Sequence, residues 1–316
     1  MALLDVRDLK IAFYDTTPPT EVVKGISFSL EEGETLGIVG ESGSGKTQTA
    51  LSILQLLKEN SAVSGGEILY EGSSVTHASS QDLQRIRGKE ISMIFQDPMS
   101  SLNPTFTIGY QIMEGLRIHL GLKKREAWVR AVELLARVGM KEPEMVMKSY
   151  SHTLSGGMRQ RAIIAMALAC NPKLLIADEP TTALDVSVQA QILNLLLDLQ
   201  EQLGLTYLVI THDLNVIKYI SDKIAVMYLG RLVEFGPTDE IAENAKHPYT
   251  KGLLDAAPIL DPRLRGRKKE IMGGDPGSLI KVGNGCRFAD RCKYATEECR
   301  TTMPPNTLAA DGHMVS

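Results

Sequence analysis

Short apolar runs separated by turn residues dominate the first part of the chain. Residues 26–30 alternate apolar and polar side chains, residues 35–39 form a continuous apolar run, and residues 49–57 carry a helical pattern. An alternation with a period of two predicts a half-buried strand, and a short apolar run bounded by turns predicts a buried strand. The order of strand, glycine-rich loop and helix predicts a βα unit of a parallel α/β fold.

The pattern changes in the middle of the chain and then returns to α/β. Between about residues 97 and 151, apolar residues recur at helical spacing and predict a small helical subdomain. Beyond it the chain alternates between predicted helices and buried strands, and this alternation ends in an antiparallel strand pair. These elements are predicted at residues 158–170, 173–177, 186–203, 207–211, 214–221, 224–229 and 231–235.

A third region begins near residue 258, where glycine and proline interrupt the sequence and no long periodic run follows. The sequence therefore divides into a domain at residues 1–257 and a C-terminal appendage at residues 258–316. An appendage of this size is too small for a robust hydrophobic core of its own. A cross-link or a bound metal would supply stability that such a core cannot.

Overall composition excludes several classes of protein. An apolar fraction of 43% and a charged fraction of 23% match an ordinary globular protein. The longest apolar run, Ala162 to Cys170, is far shorter than the roughly 20 residues that cross a bilayer, and the first residues lack the pattern of a secretory signal. A net charge of −4 argues against a broad nucleic-acid surface. We therefore expect a chain that does not cross a membrane alone.

A glycine-rich loop follows the apolar run at residues 35–39. Residues 40–47, Gly-Glu-Ser-Gly-Ser-Gly-Lys-Thr, fit the phosphate-loop pattern G-x-x-x-x-G-K-[ST]. Glycines allow successive backbone N–H groups to curl around phosphate oxygens, and the following helix adds the positive end of its dipole. Lys46 is placed to reach the β- and γ-phosphates, and the Thr47 hydroxyl is placed to coordinate Mg²⁺. The sequence therefore predicts a nucleoside triphosphate site.

A second buried strand ends in two carboxylates, Asp178 and Glu179. Acidic residues at the carboxyl edge of a parallel sheet lie where ligands of open α/β folds bind. This pattern is weak by itself, but it gains weight from the phosphate loop upstream. Asp178 is then predicted to hold Mg²⁺, and Glu179 is predicted to polarise the attacking water.

Residues 154–161 open a helix with a serine and two glycines. Ser155 is a suitable N-cap, and Gly156 and Gly157 allow close approach of another group. One interpretation is a helix cap alone. The other is a second phosphate-binding helix end. Because the chain already has a phosphate loop, this second end predicts a composite site between two chains.

Together these motifs resemble the ATP-binding subunit of an ABC transporter over about residues 3–240. Residues 40–47 match the Walker A motif of that family, and residues 154–160 match its signature, with Met158 where many members have glutamine. Gln96 matches the Q-loop, and Asp178 with Glu179 matches Walker B and its catalytic glutamate. Ala183–Asp185 matches the D-loop, and His212 matches the switch histidine. The segments that resemble the dipeptide/oligopeptide permease branch are residues 95–104, 247–250 and 285–292.

The resemblance implies an α/β fold: an ABC ATPase nucleotide-binding domain with a RecA-like parallel-sheet core, an antiparallel β subdomain and a helical subdomain, here with a small cysteine-containing appendage. The residues that it implies for ATP binding are Phe13, Gly40, Ser42, Gly43, Ser44, Gly45, Lys46, Thr47, Gln96, Ser155, Gly157, Asp178 and Asp185. Those implied for Mg²⁺ are Thr47, Gln96 and Asp178, and those implied for catalysis are Glu179, His212 and Gln96. At the adenine position, register favours Phe13 over Tyr14, and core packing is the alternative for either aromatic.

The resemblance also implies a function and partners. The chain is expected to hydrolyse ATP and to energise import of di- or oligopeptides, with import of nickel or another solute as the alternative. The expected partners are two transmembrane permease subunits, a second, non-identical ABC ATPase and, indirectly, an extracytoplasmic peptide-binding protein, but not nucleic acid. The expected location is the cytoplasmic face of a bacterial or archaeal membrane. A soluble ABC ATPase is the weaker interpretation, because such proteins usually carry two ATPase units or long coiled-coil inserts.

Three of the four cysteines, Cys286, Cys292 and Cys299, crowd into the appendage with the spacing C-x₅-C-x₆-C. Clustered thiolates favour soft metals, and this spacing does not fit the C-x₂-C pairs of common zinc sites. Spacing alone leaves an iron–sulfur cluster, zinc and a disulfide open, whereas the permease resemblance implies a [4Fe–4S] cluster with four cysteine ligands. The fourth cysteine is expected beyond the end of the sequence, with His313 as a less favoured ligand, while Cys170 is expected to be buried packing.

Overall fold

The computed structural model describes residues 2–182, 184–256, 285–309 and 312–316. The chain forms two compact units, and each is described by itself. The first unit draws on residues 1–30, 35–76 and 210–316, and the second on residues 31–34 and 77–209. The predicted boundary between residues 257 and 258 lies outside the described residues, as does Ala183 of the D-loop match. Within the described ranges, no helix is both long enough and apolar enough to span a bilayer.

Both units contain strands and helices, numbered here along the chain. The strands are β1 (Leu4–Phe13), β2 (Thr20–Leu30), β3 (Thr35–Val39), β4 (Ser61–Tyr70), β5 (Ser73–Ser74), β6 (Ile91–Ile94), β7 (Leu174–Asp178), β8 (Thr206–Thr211), β9 (Lys223–Tyr228), β10 (Arg231–Pro237), β11 (Thr307–Leu308) and β12 (Met314–Val315). The α-helices are α1 (Lys46–Ile53), α2 (Ser80–Ile86), α3 (Pro98–Ser101), α4 (Ile108–Leu120), α5 (Lys124–Arg137), α6 (Pro143–Lys148), α7 (Gly156–Ala167), α8 (Val186–Leu203), α9 (Leu214–Ile220), α10 (Thr238–Asn244), α11 (Pro248–Ala256) and α12 (Glu297–Thr301).

The first unit combines an antiparallel sheet with the strand that leads into the phosphate loop. The antiparallel sheet has the order β2-β1-β4-β5, and Leu4 of β1 lies opposite Leu30 of β2 and Tyr70 of β4. In the other sheet portion, β3 pairs with β9 in parallel, and β10 pairs with β9 and β12 in antiparallel fashion. All five residues of β3 are buried, as the apolar run there predicts, so the strand fixes the start of the loop.

The second unit places parallel strands beside a group of helices. β6 and β7 pair in parallel, with Ile91 opposite Leu174 and Ile94 opposite Ala177. Helices α3 to α6 lie in the segment where helical spacing predicts helices. The apolar faces of α4 and α5 are buried, with Leu116 and Leu134 among the covered side chains. These contacts hold the segment that follows β6 next to α7.

The described part of the C-terminal segment packs into the first unit. Phe288 is buried, and its ring lies 5.3 Å from the ring of Tyr228 and 5.6 Å from that of Tyr249, measured between centroids. These aromatic contacts add to the apolar area that burial of the ring removes from water. Segment 285–300 therefore shares the core of the first unit instead of building one of its own.

A buried polar contact joins the end of the chain to β10. Strand β12 pairs with β10, with Val315 opposite Glu234. Both side chains of the neighbouring pair His313 and Glu234 are fully buried, and His313 Nε2 lies 2.7 Å from Glu234 Oε1. The Glu234 carboxylate also accepts the backbone N–H groups of Lys246 and His247, at 2.6 and 3.1 Å. A buried carboxylate needs such partners, because an unpaired charge away from water is strongly unfavourable.

Candidate nucleotide-binding site

The phosphate loop joins the end of β3 to the start of α1. Gly45 has φ of +101°, which side-chain-bearing residues rarely adopt. A Cβ at Gly40 would lie 2.1 Å from the carbonyl oxygen of Met227, so only glycine fits there. Helix α1 begins at Lys46, three residues earlier than the apolar pattern predicts, because Lys46 and Thr47 form its first turn. The loop therefore has the strand–loop–helix form that cradles phosphate.

Lys46 folds its side chain back across this loop. Its Nζ donates to the carbonyl oxygens of Gly40 and Glu41, at 2.7 and 3.0 Å, and lies 3.4 Å from Ser44 Oγ. The residue is only 7% exposed, so its charge is held within the loop. A fixed ammonium group beside backbone N–H groups at a helix N-terminus is suited to phosphate oxygens.

The other predicted residues of the first unit lie in the phosphate loop or at the ends of strands. Ser42 and Gly43 are exposed at the tip of the loop, whereas Ser44 is buried. Phe13 is the half-buried last residue of β1, and the neighbouring Tyr14 is exposed. His212 is exposed directly after β8, before the Asp213 cap of α9.

In the second unit, the predicted acidic pair ends β7. Asp178 is almost fully buried, and Glu179 is 8% exposed. Glu179 has φ of +52°, which is strained for a residue with a side chain. The Thr182 hydroxyl donates a hydrogen bond to Glu179 Oε2 and so fixes the direction of this carboxylate. Sequence reasoning missed Thr182, although a hydroxyl three residues beyond an acid in a turn was a usable signal.

Gln96 follows the strand next to that acidic pair. Ile94 of β6 lies opposite Ala177 of β7. Gln96 comes two residues after Ile94 and Glu179 comes two residues after Ala177, so both follow the same edge of the strand pair. Gln96 is exposed there. The structure thus brings Gln96, Asp178 and Glu179 to the carboxyl edge of one pair of parallel strands.

The predicted helix cap Ser155 and the D-loop residue Asp185 lie beside one cleft of the second unit. Ser155 Oγ accepts the N–H of Met158 at the start of α7, and Asp185 caps α8 through two backbone N–H groups. Ser155, Gly157 and Asp185 line the same cleft, together with Val188. A Cβ at Gly157 would lie 2.7 Å from Val188 Cγ1, so glycine allows α7 and α8 to approach closely here. This exposed helix end is suited to an anionic group from outside the unit.

The predicted iron–sulfur site is wrong. Within the described residues, which include Cys286, Cys292 and Cys299, no group of three or more His, Cys, Asp or Glu side chains could hold a metal ion. All four cysteines are free, which excludes a disulfide among them. Cys299 instead places its Sγ 3.3 Å from the Thr296 hydroxyl.

The surroundings of the other expected ligands also disagree with a cluster. Burial raises the pKa of the Cys286 thiol, and this disfavours the thiolate that ligates iron. The ring of His313, the less favoured ligand, contacts Glu234 instead. Cys170 is buried, as expected for a packing residue.

Comparison with known protein families agrees with the motifs. Residues 23–182 match the family described as ABC transporter, and residues 233–299 match the oligopeptide/dipeptide transporter C-terminal region. Both segments carry residues described above, the phosphate loop in the first and the buried Tyr249 and Phe288 in the second.

Individual relatives match over nearly the whole chain. A probable peptide ABC transporter ATP-binding protein of Sinorhizobium fredii is 47% identical over 315 residues, which cover 98% of this chain and 93% of the relative. The oligopeptide transport ATP-binding protein AppD of Bacillus subtilis is 48% identical, with 99% and 95% covered. The oligopeptide transport ATP-binding protein OppD of Escherichia coli is 47% identical, with 96% and 89% covered.

Solved structures extend the agreement to the fold. The ATP-binding cassette MJ0796, solved as a dimer in a post-hydrolysis state bound to ADP and phosphate, has a TM-score of 0.67 at 28% identity and covers 74% of this chain and 98% of its own. The cbiO1 protein of Clostridium perfringens, part of the ABC transporter complex cbiONQ, has a TM-score of 0.66 at 29% identity, with 77% and 92% covered. The predicted α/β cassette fold is thereby confirmed, and the chain belongs to the ATP-binding proteins of the ABC transporter family, in the group that carries the oligopeptide/dipeptide transporter C-terminal region.

Proposed function

We propose that this ABC ATPase energises the import of di- or oligopeptides through a membrane transporter. The observation that carries the proposal is the identity of 47–48% to peptide-transport ATP-binding proteins over nearly the whole chain, C-terminal region included. Fold alone would not support a substrate class, because one fold hosts many functions.

The phosphate loop would hold the triphosphate of ATP. Its backbone N–H groups and the start of α1 would face the phosphate oxygens, and Lys46 would neutralise charge at the β- and γ-phosphates. The contacts of Lys46 with the carbonyls of Gly40 and Glu41 support this role, because they keep the ammonium group at the loop. Phe13 would stack on the adenine.

The residues expected around Mg²⁺ fit that ion in their donor chemistry. Thr47 supplies a hydroxyl, Gln96 an amide oxygen and Asp178 a carboxylate, and Mg²⁺ prefers oxygen ligands of this kind. Bound with ATP, the ion would neutralise charge on the phosphate oxygens.

Hydrolysis would depend mainly on Glu179. Its carboxylate, held by Thr182, would orient the attacking water and take its proton. Gln96 at the same strand edge would sense the γ-phosphate and a partner subunit, and His212 would contact the γ-phosphate. The cleft with Ser155, Gly157 and Asp185 would cover the ATP of a second ATPase subunit, whose own cleft would cover the ATP bound here.

In the cell, the chain would work at the cytoplasmic face of the membrane. Two transmembrane permease subunits and a second, non-identical ABC ATPase would be its direct partners, and an extracytoplasmic peptide-binding protein would deliver cargo to them. Closing and reopening of the two ATPases around ATP would drive the permease subunits.

The proposal is tested by uptake into proteoliposomes that contain the chain with the two permease subunits and the second ATPase proposed above. We expect ATP-dependent accumulation of a labelled tripeptide in the presence of the cognate binding protein. The Glu179→Gln variant is the control, because it should abolish uptake without preventing assembly. Uptake of a nickel chelate in place of the peptide would assign the transporter to metal import. If the chain forms its native complex without any membrane subunit, the transport role is refuted.

A further inference from the structure

Every polar group of Glu41 in the phosphate loop is engaged. Its N–H donates to Tyr249 Oη at 2.8 Å, and its carbonyl accepts from Lys46 Nζ at 3.0 Å. Its carboxylate accepts from Nη1 and Nη2 of Arg291 at 2.9 and 3.0 Å. Glu41 occupies one of the variable positions of the phosphate-loop pattern, so the pattern itself gives this residue no role.

Arg291 is held in a nearly closed environment. Its side chain is 8% exposed and that of Glu41 is 23% exposed. The guanidinium carbon lies 5.7 Å from the ring centroids of both Tyr228 and Phe288, and Nη1 lies 3.3 Å from Tyr228 Oη. The bonds to Glu41 raise the pKa of Arg291. A bidentate pair with a charged acceptor fixes orientation as well as distance, so Glu41 has little freedom.

Tyr249 is fixed just as firmly. It is fully buried, and its ring lies 4.6 Å from that of Tyr228. Burial raises the pKa of its hydroxyl, so the group stays neutral and keeps its position beside the Glu41 N–H. Tyr249 and Arg291 are distant from Glu41 in sequence, yet the side chains of both form hydrogen bonds with this one residue of the phosphate loop.

We propose that Arg291 and Tyr249 are positioning residues for the ATP site and act on it through Glu41. The proposal rests on the assignment of ATP to the phosphate loop. Because the Glu41 carbonyl is one of the acceptors that hold Lys46, release of Glu41 loosens both the loop and its phosphate-binding amine. A looser loop must be ordered when ATP binds, and that ordering weakens binding. The C-terminal segment 285–300 is thereby part of the nucleotide site.

The test uses the full chain and titrates it with a fluorescent ATP analogue in the presence of Mg²⁺. We expect Arg291→Ala and Tyr249→Phe each to raise Kd about tenfold, which corresponds to about 1.4 kcal/mol. In ATPase assays KM should rise by a similar factor while kcat stays within about twofold, because the water-activating residue is untouched. Arg291→Lys should recover part of the affinity, since lysine keeps the charge but not the bidentate geometry.

Two further variants separate this role from general damage. Adding Glu41→Ala to Arg291→Ala should weaken binding no further, because Arg291 acts through Glu41. Arg300→Ala is the matched control. It breaks the Arg300–Asp290 pair of the same segment, whose side chains are 52% and 90% exposed, and it should leave Kd unchanged.

Each outcome decides the proposal. Unchanged Kd in both Arg291→Ala and Tyr249→Phe overturns it, as does a fall in kcat at unchanged Kd. If Arg291→Ala does not fold, Arg291→Lys and Tyr249→Phe decide by the same Kd measurement. Lys46→Ala examines the underlying assignment. If Lys46→Ala keeps full affinity for the ATP analogue, ATP does not use the phosphate loop. If Lys46→Ala loses binding while the Arg291 and Tyr249 variants keep the Kd of the wild type, only the positioning role is refuted.

Discussion

His247 should make the stability of the protein fall as the pH decreases below neutrality. Burial lowers the pKa of this histidine to about 4 from its ordinary value of 6.5. Its Nδ1 accepts the backbone N–H of Tyr249 at 3.1 Å, and an acceptor nitrogen carries no proton. Between about pH 6.5 and 4 the unfolded chain binds a proton that the folded chain refuses, so stability rises with pH across this window.

The structure also sets the magnitude of this effect. The two pKa values differ by about 2.5 units, and one unit corresponds to about 1.36 kcal/mol. The free energy of unfolding should therefore lose about 2 kcal/mol from this group by pH 5, and about 3 kcal/mol by pH 4. Well above pH 6.5 the contribution of His247 should be constant, because both states are then neutral at this position.

Urea unfolding of the full chain, followed at several values between about pH 7.5 and 5, measures this loss. Other groups titrate too, so the informative quantity is the difference between the wild type and His247→Asn. Asparagine keeps an acceptor for the Tyr249 N–H but takes up no proton in this range, so its slope should be shallower. His77→Gln, at an exposed histidine, is the matched control and should follow the wild type. Parallel slopes for wild type and His247→Asn would refute the reasoning.

Three other changes have expected outcomes. Glu179→Gln should lower ATP hydrolysis at least about 10²-fold while ATP binding persists, and near-normal turnover would remove Glu179 from catalysis. Thr182→Val removes the hydroxyl that holds Glu179; turnover should fall about tenfold at unchanged ATP affinity, and an unaltered kcat would contradict this role. His313→Ala should destabilise the first unit by about 3 kcal/mol, because it breaks a buried pair. This is the lower end for such a change, since Glu234 keeps two N–H donors. An unshifted urea midpoint would contradict this expectation.

Local features of the site were predictable from sequence because neighbouring residues determine them. The apolar run at β3, the glycines that follow it and the presence of a helix after them lie within about 20 residues, so period and motif were enough. The same holds for the cap Ser155, since a cap depends on the next few residues of its own helix.

Other features depend on contacts that no local pattern records. Glu41 and Arg291 are 250 residues apart in sequence, and neither residue type marks the pairing. The positive φ of Glu179 was not predicted from the sequence either, because an acidic residue type does not indicate that backbone conformation. The iron–sulfur prediction, which the permease resemblance implied, failed for a related reason: a resemblance between sequences does not say where thiols point, and the thiol of Cys299 contacts Thr296.

The short strands at the end of the sequence have a consequence for aggregation. β12 covers β10, and beyond β12 lies β11, which is only two residues long. A short outer strand offers few free N–H and C=O groups to another chain, and natural sheets use this device against edge-to-edge assembly. Deleting residues 303–316 would uncover Glu234 and Phe235, the two residues of β10 that pair with β12. Such a truncated protein should self-associate at concentrations where the full chain stays dispersed, and a bulky tag fused after β12 should be placed on a spacer.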